Sequence, residues 1–355
     1  MKVAILYGGR SVEHGVSINS ARNIFEFIDK ANFEPVPIGI SQSGQWFLTA
    51  DVSKEIEQGK RLHLQLDPGR PAFVTGDGSA AIADIVFPVL HGTDGEDGSV
   101  QGLLKTLELP IIGTGVLGSS MSMSKLVSKQ MLQQAGLPVT RFLYKRFEDT
   151  PFSFEEVKEQ LGLPFMVKSA SLGSSVGVSK VKSQHDFAKA VEESFRYDNG
   201  VLFEEFIQGR EIECAILGND PPQASLPGEI IISKKYEFYT FDAKYVDSEA
   251  VRIQVPAALD PAQAELIRDL SVKAFQTLCC EDFARVDLFL TSGNKVYINE
   301  INTIPGFTNS SMFPMMWKER GISFTELITR LIGLALERSE RSKRIERDFL
   351  SSLKF

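Results

Sequence analysis

Cysteine is scarce in this 355-residue chain, at three residues: Cys214 and the adjacent Cys279 and Cys280. The count is odd and the spacing is not that of a metal site, so the sequence predicts reduced thiols and neither a disulfide framework nor a zinc cluster. A dense run of Lys and Arg is also missing, and the formal net charge is −8. That balance argues against nucleic acid or an anionic membrane as the main partner. No apolar stretch approaches the roughly 20 residues a membrane span needs. The opening "MKVAILYGG" is too short an apolar run for a signal peptide. The expectation is therefore a cytoplasmic protein. "YGGRS" lacks the G-x-G-x-x-G spacing of a dinucleotide fold and has no later acidic ribose partner in register, which removes a Rossmann dehydrogenase. There is no internal repeat.

What is present is an ordinary globular composition, 43% hydrophobic and 24% charged. The length exceeds what one core usually serves, so two or three packed domains are predicted. "KVAILY", "GG" and "SINSARNIFEFI" read as strand, turn and helix, a βα unit. "PVPIGI" and "ADIVFPVL" read as further strands, the second running into the Gly-rich loop "HGTDGEDG". Between 41 and 80, "WFL" and "RLHLQL" could form short edge strands. "MSMSKLVSKQMLQQAG", 121 to 136, reads as one helix stopped by Gly136 with Pro138 beyond. The rest is α+β: "PFMVKSA" and "VGVSKV" flank "SLGSS", a helix spans about 184 to 195, and strands follow at "VLFEEFI", "EIECAIL", "GEIIIS", "ARVDLFL" and "KVYINEI". The C-terminal helix from about 323 ends in the charge-rich "ERSERSKRIERDF" and reads as solvated.

"VYINEINTIPGF", 296 to 307, carries the most chemistry. Alternation along a strand would put Val296, Ile298, Glu300 and Asn302 on one side, an apolar face that turns polar halfway. "ARVDLFL" precedes it across "TSGN", so an antiparallel hairpin is predicted. A turn centred on Gly293-Asn294 sets Asp287 opposite Glu300 and Arg285 opposite Asn302. In a register one residue earlier, Arg285 faces Glu300 instead, but all four polar residues still share a face. Facing carboxylates on a partly buried sheet repel unless a proton or cation compensates, and Asp, Glu and Asn oxygens suit Mg²⁺. On the hairpin alone a solvated face fits equally well. The small residues of "SLGSS" could bring backbone N–H groups close to phosphate oxygens, and Lys168 enters that loop. Glu204 interrupts an apolar strand and Glu211 follows "IQGR"; surface carboxylates would account for both.

The order of "KSASLGSSVGVSKV", "VLFEEFIQGREIECAILG", "FYTFDAKY", "ARVDLFL" and "YINEINTIPGFTNSSMFP" resembles that of the D-alanine–D-alanine ligases of the ATP-grasp superfamily. "GGRSVEHGVSINSA" and "FPVLHGTDGEDGSVQGLL" resemble the same family's substrate loops, so the resemblance covers nearly the whole chain except 41 to 80 and the tail after about 338. It implies an α/β N-terminal domain followed by a two-part α+β ATP-grasp module, three domains with the active site between them. The expected divisions are 1–118 for substrate binding, 119–206 as the central ATP-grasp subdomain, and 207–355 with the metal and acceptor site.

The resemblance implies residue roles as well. Lys125, Lys168 and Ser175 would hold ATP phosphates; Glu204, with the backbone of Glu205 and Ile207, the adenine; Glu211 the ribose; and Lys244 the γ-phosphate. Asp287, Glu300 and Asn302 would bind two Mg²⁺ ions, with Mn²⁺ as a substitute. Glu13 would meet the ammonium of the first D-alanine, His91 its carboxylate, and Ser311 with Met312 the carboxylate of the second. Arg285 and the Gly306 N–H would stabilise the tetrahedral intermediate, while Ser174 and Tyr245, linked to Glu13, orient the second amine. The implied activity is ATP-dependent formation of D-alanyl-D-alanine through D-alanyl phosphate for peptidoglycan synthesis, by a homodimer with D-alanine and ATP as its partners. Loops 171–177 and 236–247 would be lids. "YTFDAKY" differs from the commoner "YDYEAKY" at Thr240, Phe241 and Asp242, so different lid contacts are expected there, with Lys244 and Tyr245 in place; Ser169 stands where the family usually has a proline after the phosphate lysine, a local backbone change without functional weight. Two alternatives stand beside this reading: another ATP-grasp carboxylate–amine ligase, and a non-catalytic nucleotide-binding regulator.

Overall fold

The computed structural model describes residues 1–67, 70–174, 176–233 and 251–346. The N-terminal sheet is built on β1 (Lys2–Gly8), which is followed by helix α1 (His14–Phe27) and β2 (Glu34–Ile40). β3 (Trp46–Leu48), β4 (Lys60–Leu64), β5 (Phe73–Thr75) and β6 (Ala80–Ala81) extend it on one side, and β7 (Ile85–Pro88) closes the other, in the order β6-β5-β4-β3-β2-β1-β7. β1 runs parallel to both β2 and β7. Val3, Ile5 and Tyr7 face the core that α1 covers, while Ala4 and Leu6 face a second core, so the unbroken apolar run is that of a strand covered on both sides. The two short strands expected between 41 and 80 are β3 and β4, but they are not edge strands: each is paired on both sides, and β6 and β7 form the edges. The turn after β1 requires glycine: Gly8 has φ +90°, and a Cβ there would sit 2.3 Å from the Ile40 carbonyl oxygen.

After α2 (Ser99–Thr106), the helix expected over 121–136 is two helices, α3 (Val116–Met123) and α4 (Lys125–Gln134). Ser124 takes extended backbone between them (φ −80°, ψ 102°), and its Oγ accepts the Val127 N–H. A serine that can satisfy an orphan N–H favours a new N-terminus over helix continuation. Leu132 of α4 and Leu137 pack into the core of the C-terminal sheet.

The central unit comprises β8 (Phe142–Arg146), α5 (Phe154–Leu161), β9 (Phe165–Ser169), β10 (Val178–Val181), α6 (Gln184–Phe195) and β11 (Gly200–Glu205), with sheet order β10-β9-β11-β8. Capping boxes at Ser153 and Ser183 start its helices. It has its own core, in which the rings of Phe154, Phe165, Phe187 and Phe203 touch at 5.9 to 6.2 Å between centroids.

The C-terminal half contains β12 (Gly209–Leu217), β13 (Gln223–Ala224), β14 (Gly228–Ile232), β15 (Val251–Gln254), α7 (Pro261–Thr277), β16 (Phe283–Thr291), β17 (Val296–Asn302), α8 (Met312–Lys318) and α9 (Phe324–Lys343). Its sheet runs β15-β14-β12-β16-β17, with β13 pairing β12. α9 is not merely solvated: Phe324, Leu327, Ile328, Leu331, Ile332 and Ala335 form a buried face in the same core as Val3, Ile5 and α1. Phe27 and Phe324 meet edge-on at 5.6 Å, and Phe87 contacts both Phe283 and Phe307. Arg338 fastens the seam, donating to Glu281 and Asp282 and to the carbonyls of Ile111 and Gly113 at 2.7 to 2.8 Å.

The β16–β17 hairpin corrects one reading of the sequence. Asp287 does face Glu300 and Arg285 does face Asn302, but Leu288 faces Ile298, so Asn299 is an extra residue in a β-bulge. The bulge re-phases the strand. Val296, Ile298 and Ile301 lie in one core, and Glu300 and Asn302 are on the opposite face. The apolar side therefore never turns polar; the strand changes step.

Candidate active site

A cleft of about 660 Å³ separates the central sheet from the C-terminal sheet, and Lys125, Lys168, Glu204, Glu205, Ile207, Glu211, Asp287 and Glu300 all line it. It is large enough for a nucleotide. Its floor carries a row of carboxylates across three strands, because Glu213 of β12 pairs with Asp287 of β16, and Asp287 with Glu300 of β17. Arg285 holds Asp287 with both arms, Nε to Oδ1 and Nη2 to Oδ2 at 2.7 Å each, and its Nε lies 3.0 Å from Glu213 Oε2. Asn302 Nδ2 donates to Asp287 Oδ2 at 2.9 Å. Three carboxylates in one row, two of them at the Arg285 guanidinium, repel one another, and a divalent cation would relieve that repulsion. The donors are all hard oxygens, a set that fits Mg²⁺. Among the described residues no three His, Cys, Asp or Glu side chains already converge on one point, so such an ion would complete its shell with water and substrate oxygens. Glu213 was not singled out from sequence; its alternation with Glu211 in "REIECAIL" is the signal that could have found it.

The nucleotide end has a second charge cluster. Glu204 is buried and sits between two lysines, with Oε2 2.9 Å from Lys168 Nζ and Oε1 3.3 Å from Lys129 Nζ. Burial acts to raise the Glu204 carboxyl, but Lys129 and Lys168 outweigh it and bring it down to about 2. Lys129 also donates to Thr140 Oγ1 at 2.8 Å, and Lys168 donates to the bulge residue Asn299 at 3.3 Å. Burial pulls both Lys129 and Lys125 below the ordinary lysine value, against nearby Glu204 and Glu300 respectively. Lys125 donates to the Leu172 carbonyl, tying α4 to the small-residue loop. Lys129, Thr140 and Asn299 went unnoticed in the sequence; a lysine within a helix pattern looks solvated until tertiary packing buries it.

Glu13, His91, Arg285, Gly306 and Ser311 gather beyond the carboxylate row, where the N-terminal loops meet residues 304–311. Glu13 is buried at the start of α1. Glycine is required opposite it: a Cβ on Gly92 (φ +75°) would lie 2.7 Å from both Glu13 Oε2 and Ser11 Oγ. A Cβ on Gly173, which lines the cleft, would come within 3.4 Å of the same carboxylate, so the 171–174 loop spans both ends of the site. Ser174 adopts φ +55° there. His91 Nδ1 lies 2.8 Å from the Ile304 carbonyl, an acceptor only, and Nε2 lies 2.9 Å from Ser20 Oγ. Burial lowers the His91 pKa, with Glu13 opposing. The neutral ring thus donates from Nδ1 and accepts from Ser20, which in turn accepts the Phe307 N–H at 3.2 Å. Glu96 accepts the N–H groups of Gly92 and Ile304 at 2.8 and 3.0 Å, and burial followed by the Glu13 charge pushes its carboxyl up to about 8. Together Glu96, His91 and Ser20 fix the backbone on both sides of Gly306. Ser311 caps this segment, its Oγ accepting the Thr308 N–H at 3.0 Å, and Met312 is buried beside it. Both His91 nitrogens are engaged in holding this loop, a role its motif had not suggested. Ser175, Lys244 and Tyr245, with the whole of the 236–247 loop, lie outside the described residues.

A family model described as D-ala D-ala ligase N-terminus matches residues 2–114, and one described as D-ala D-ala ligase C-terminus matches 131–333. The chain is 46% identical over 352 residues to D-alanine–D-alanine ligase A of Escherichia coli (strain K12), with 95% of this chain and 96% of the relative covered. It is 45% identical over 359 residues to D-alanine–D-alanine ligase of Shouchella clausii (strain KSM-K16), with 97% of each covered. Among solved structures, the D-alanine-D-alanine ligase from Coxiella burnetii superposes with a TM-score of 0.86 at 36% identity, covering 97% of each chain. VanG D-Ala:D-Ser ligase from Enterococcus faecalis also superposes with a TM-score of 0.86, at 33% identity, covering 94% of this chain and 99% of its own.

Proposed function

The chain belongs to the D-alanine–D-alanine ligase family, and from that premise we propose that it joins two D-alanine molecules, with ATP, into D-alanyl-D-alanine, ADP and phosphate for peptidoglycan synthesis. The observation that carries this reading is the nucleotide-sized cleft whose lysines lead onto the carboxylate row and Arg285. A carboxylate is a poor electrophile. One D-alanine carboxylate oxygen attacks the γ-phosphorus, the bond to the leaving ADP oxygen breaks, and D-alanyl phosphate forms. The amine of the second D-alanine attacks the acyl carbon and loses a proton, the C–O bond to phosphate breaks, and the dipeptide remains. Lys125, Lys168, Ser175 and Lys244 hold phosphates. Glu204, Glu205 and Ile207 hold the adenine and Glu211 the ribose. Positioning and charge neutralisation account for most of such a transfer.

Asp287, Glu300 and Asn302 would hold two Mg²⁺ ions, or Mn²⁺ in their place, which when bound neutralise phosphate charge. Glu13 receives the first ammonium, and His91 sits by the first carboxylate. Arg285 and the Gly306 N–H receive the oxyanion at hydrogen-bond distance, while Ser311 and Met312 bind the second carboxylate. Ser174 and Tyr245 orient the second amine. Tyr245 adds no positive charge that would repel an amine, so we assign an amine acceptor, with dipeptide favoured over D-lactate ester. The three-domain division at 118 and 206, a homodimer and a cytoplasmic location complete the reading; no described helix is long and apolar enough to cross a membrane.

With ATP labelled in its γ-phosphate, label is expected to appear as phosphate only when D-alanine is added, and Glu300→Gln should abolish release while leaving the circular dichroism unchanged. Equal release without D-alanine would mean a simple ATPase.

A further inference from the structure

Lys129 is a lysine that cannot touch a ligand. Its side chain is 1% exposed, and it does not line the cleft; Lys168, at 11%, does. Between them stands the single carboxylate of Glu204, 2% exposed. Without Lys129, Glu204 and Lys168 would form a neutral pair, with the Lys168 ammonium held 2.9 Å from a carboxylate that no other described cation meets at ion-pair distance. A neutral pair attracts phosphate far less than a net cation does. With Lys129 present, the three groups carry one net positive charge, and the only one of the two lysines open to the cleft is Lys168. Thr140 steadies the arrangement, its Oγ1 accepting from Lys129 at 2.8 Å and donating to Glu204 Oε2 at 3.3 Å. Asn299 Oδ1, 3.3 Å from Lys168 Nζ, steadies the other side.

We propose that Lys129 is a positioning residue for nucleotide phosphate, sharing the charge of Glu204 so that Lys168 keeps its own for the polyphosphate. The inference rests on the nucleotide reading of the cleft. It separates two functions that one carboxylate would otherwise set in conflict: Glu204 must be an anion to receive the base, and Lys168 must remain a cation to receive phosphate.

The test is titration calorimetry with adenosine and with ADP, in magnesium buffer, on the wild type, Lys129→Gln, Lys129→Arg and the double variant Lys129→Gln/Glu204→Gln. The quantity read is the ratio of ADP to adenosine affinity. Lys129→Gln should reduce that ratio by about tenfold, the effect of roughly one partly screened charge. Lys129→Arg should keep it, and the double variant should regain it because Lys168 is no longer neutralised. The double variant also removes the buried ion pair whole, so the inference stays testable if the single variant does not fold. An unchanged ratio in Lys129→Gln, or a double variant as impaired as the single, would overturn the proposal and leave Lys129 a purely structural cation. A wild type that binds ADP but releases no phosphate with D-alanine would defeat the ligase reading and leave this inference standing; a wild type that binds no ADP would defeat both.

Discussion

The N-terminal sheet and the central sheet both pack against the C-terminal half, by different means. The N-terminal sheet shares a hydrophobic core with it: Phe87, Phe283, Phe307 and Phe313 pack together edge-on or tilted, Phe27 meets Phe324, and Arg338 reaches across to Ile111 and Gly113. The central sheet keeps a separate aromatic core and faces the C-terminal sheet across the cleft, with polar contacts such as Lys168 to Asn299. Separating an apolar core exposes area at about 25 cal/mol per Å², whereas polar contacts are exchanged for water at little net change. The groups proposed to meet the two amino acids, Ser174 and Tyr245 excepted, therefore sit on one fused body, and the groups proposed to grip the nucleotide sit on the two faces of a polar seam. This division suits a ligase that must admit ATP and then exclude water from an acyl phosphate.

The sharpest way to break the comparison is Arg338→Met. Asp282 is fully buried, and burial already raises its carboxyl against the pull of Arg338. Removing the guanidinium leaves that group uncompensated, at about 3–5 kcal/mol. Hydrogen exchange should show lost protection in 2–40 and 281–302, with 165–205 unchanged. Equal loss in both regions would mean that the central sheet is as firmly fused as the N-terminal one.

Acid should act on the seam. The Glu204 pKa in the fold, about 2, lies below its ordinary 4.5. Its contribution is therefore fully present above pH 4.5 and is lost as the pH falls toward 2, on the order of 3 kcal/mol. Urea unfolding of the nucleotide-free protein should steepen over that window, and the same series on Glu204→Gln should be flatter there. Parallel profiles would show that the two lysines do not stabilise the anion.

The smallest effect is expected at Glu96, within the fused body. In Glu96→Gln an amide NH₂ must face one of the backbone N–H groups that the carboxyl oxygens now accept, at about 1–3 kcal/mol. The KM for D-alanine should rise and that for ATP should hold. A change in the ATP value alone would place Glu96 on the wrong side of the comparison.

Much of this was legible in the sequence because local signals and tertiary packing agree. Lys2–Gly8 is apolar on both faces and lies in a sheet covered on both sides; the capped segment 184–195 is a helix; Asp287 faces Glu300 as the hairpin predicts. Ser124 was misread because a serine inside a helical pattern and a serine starting a new helix look alike until the backbone turns. Lys129, Glu213, Glu96 and Ser20 were missed for one shared reason. Each gains its meaning from partners more than 70 positions away, as with Lys129 and Glu204, Glu213 and Arg285, or Ser20 and Phe307, and no short window of sequence contains both members.

The extra residue at Asn299 makes the step of the strand a component of the site. Removing it would restore plain alternation and leave Glu300 opposite Asp287 and Ile298 opposite Leu288, whereas flattening the bulge at the same chain length would turn Glu300 and Asn302 toward the core and Ile301 toward the cleft. The cleft face is therefore held by one backbone irregularity, and a shift of that irregularity past Asn302 would bury the candidate ligands without a single substitution.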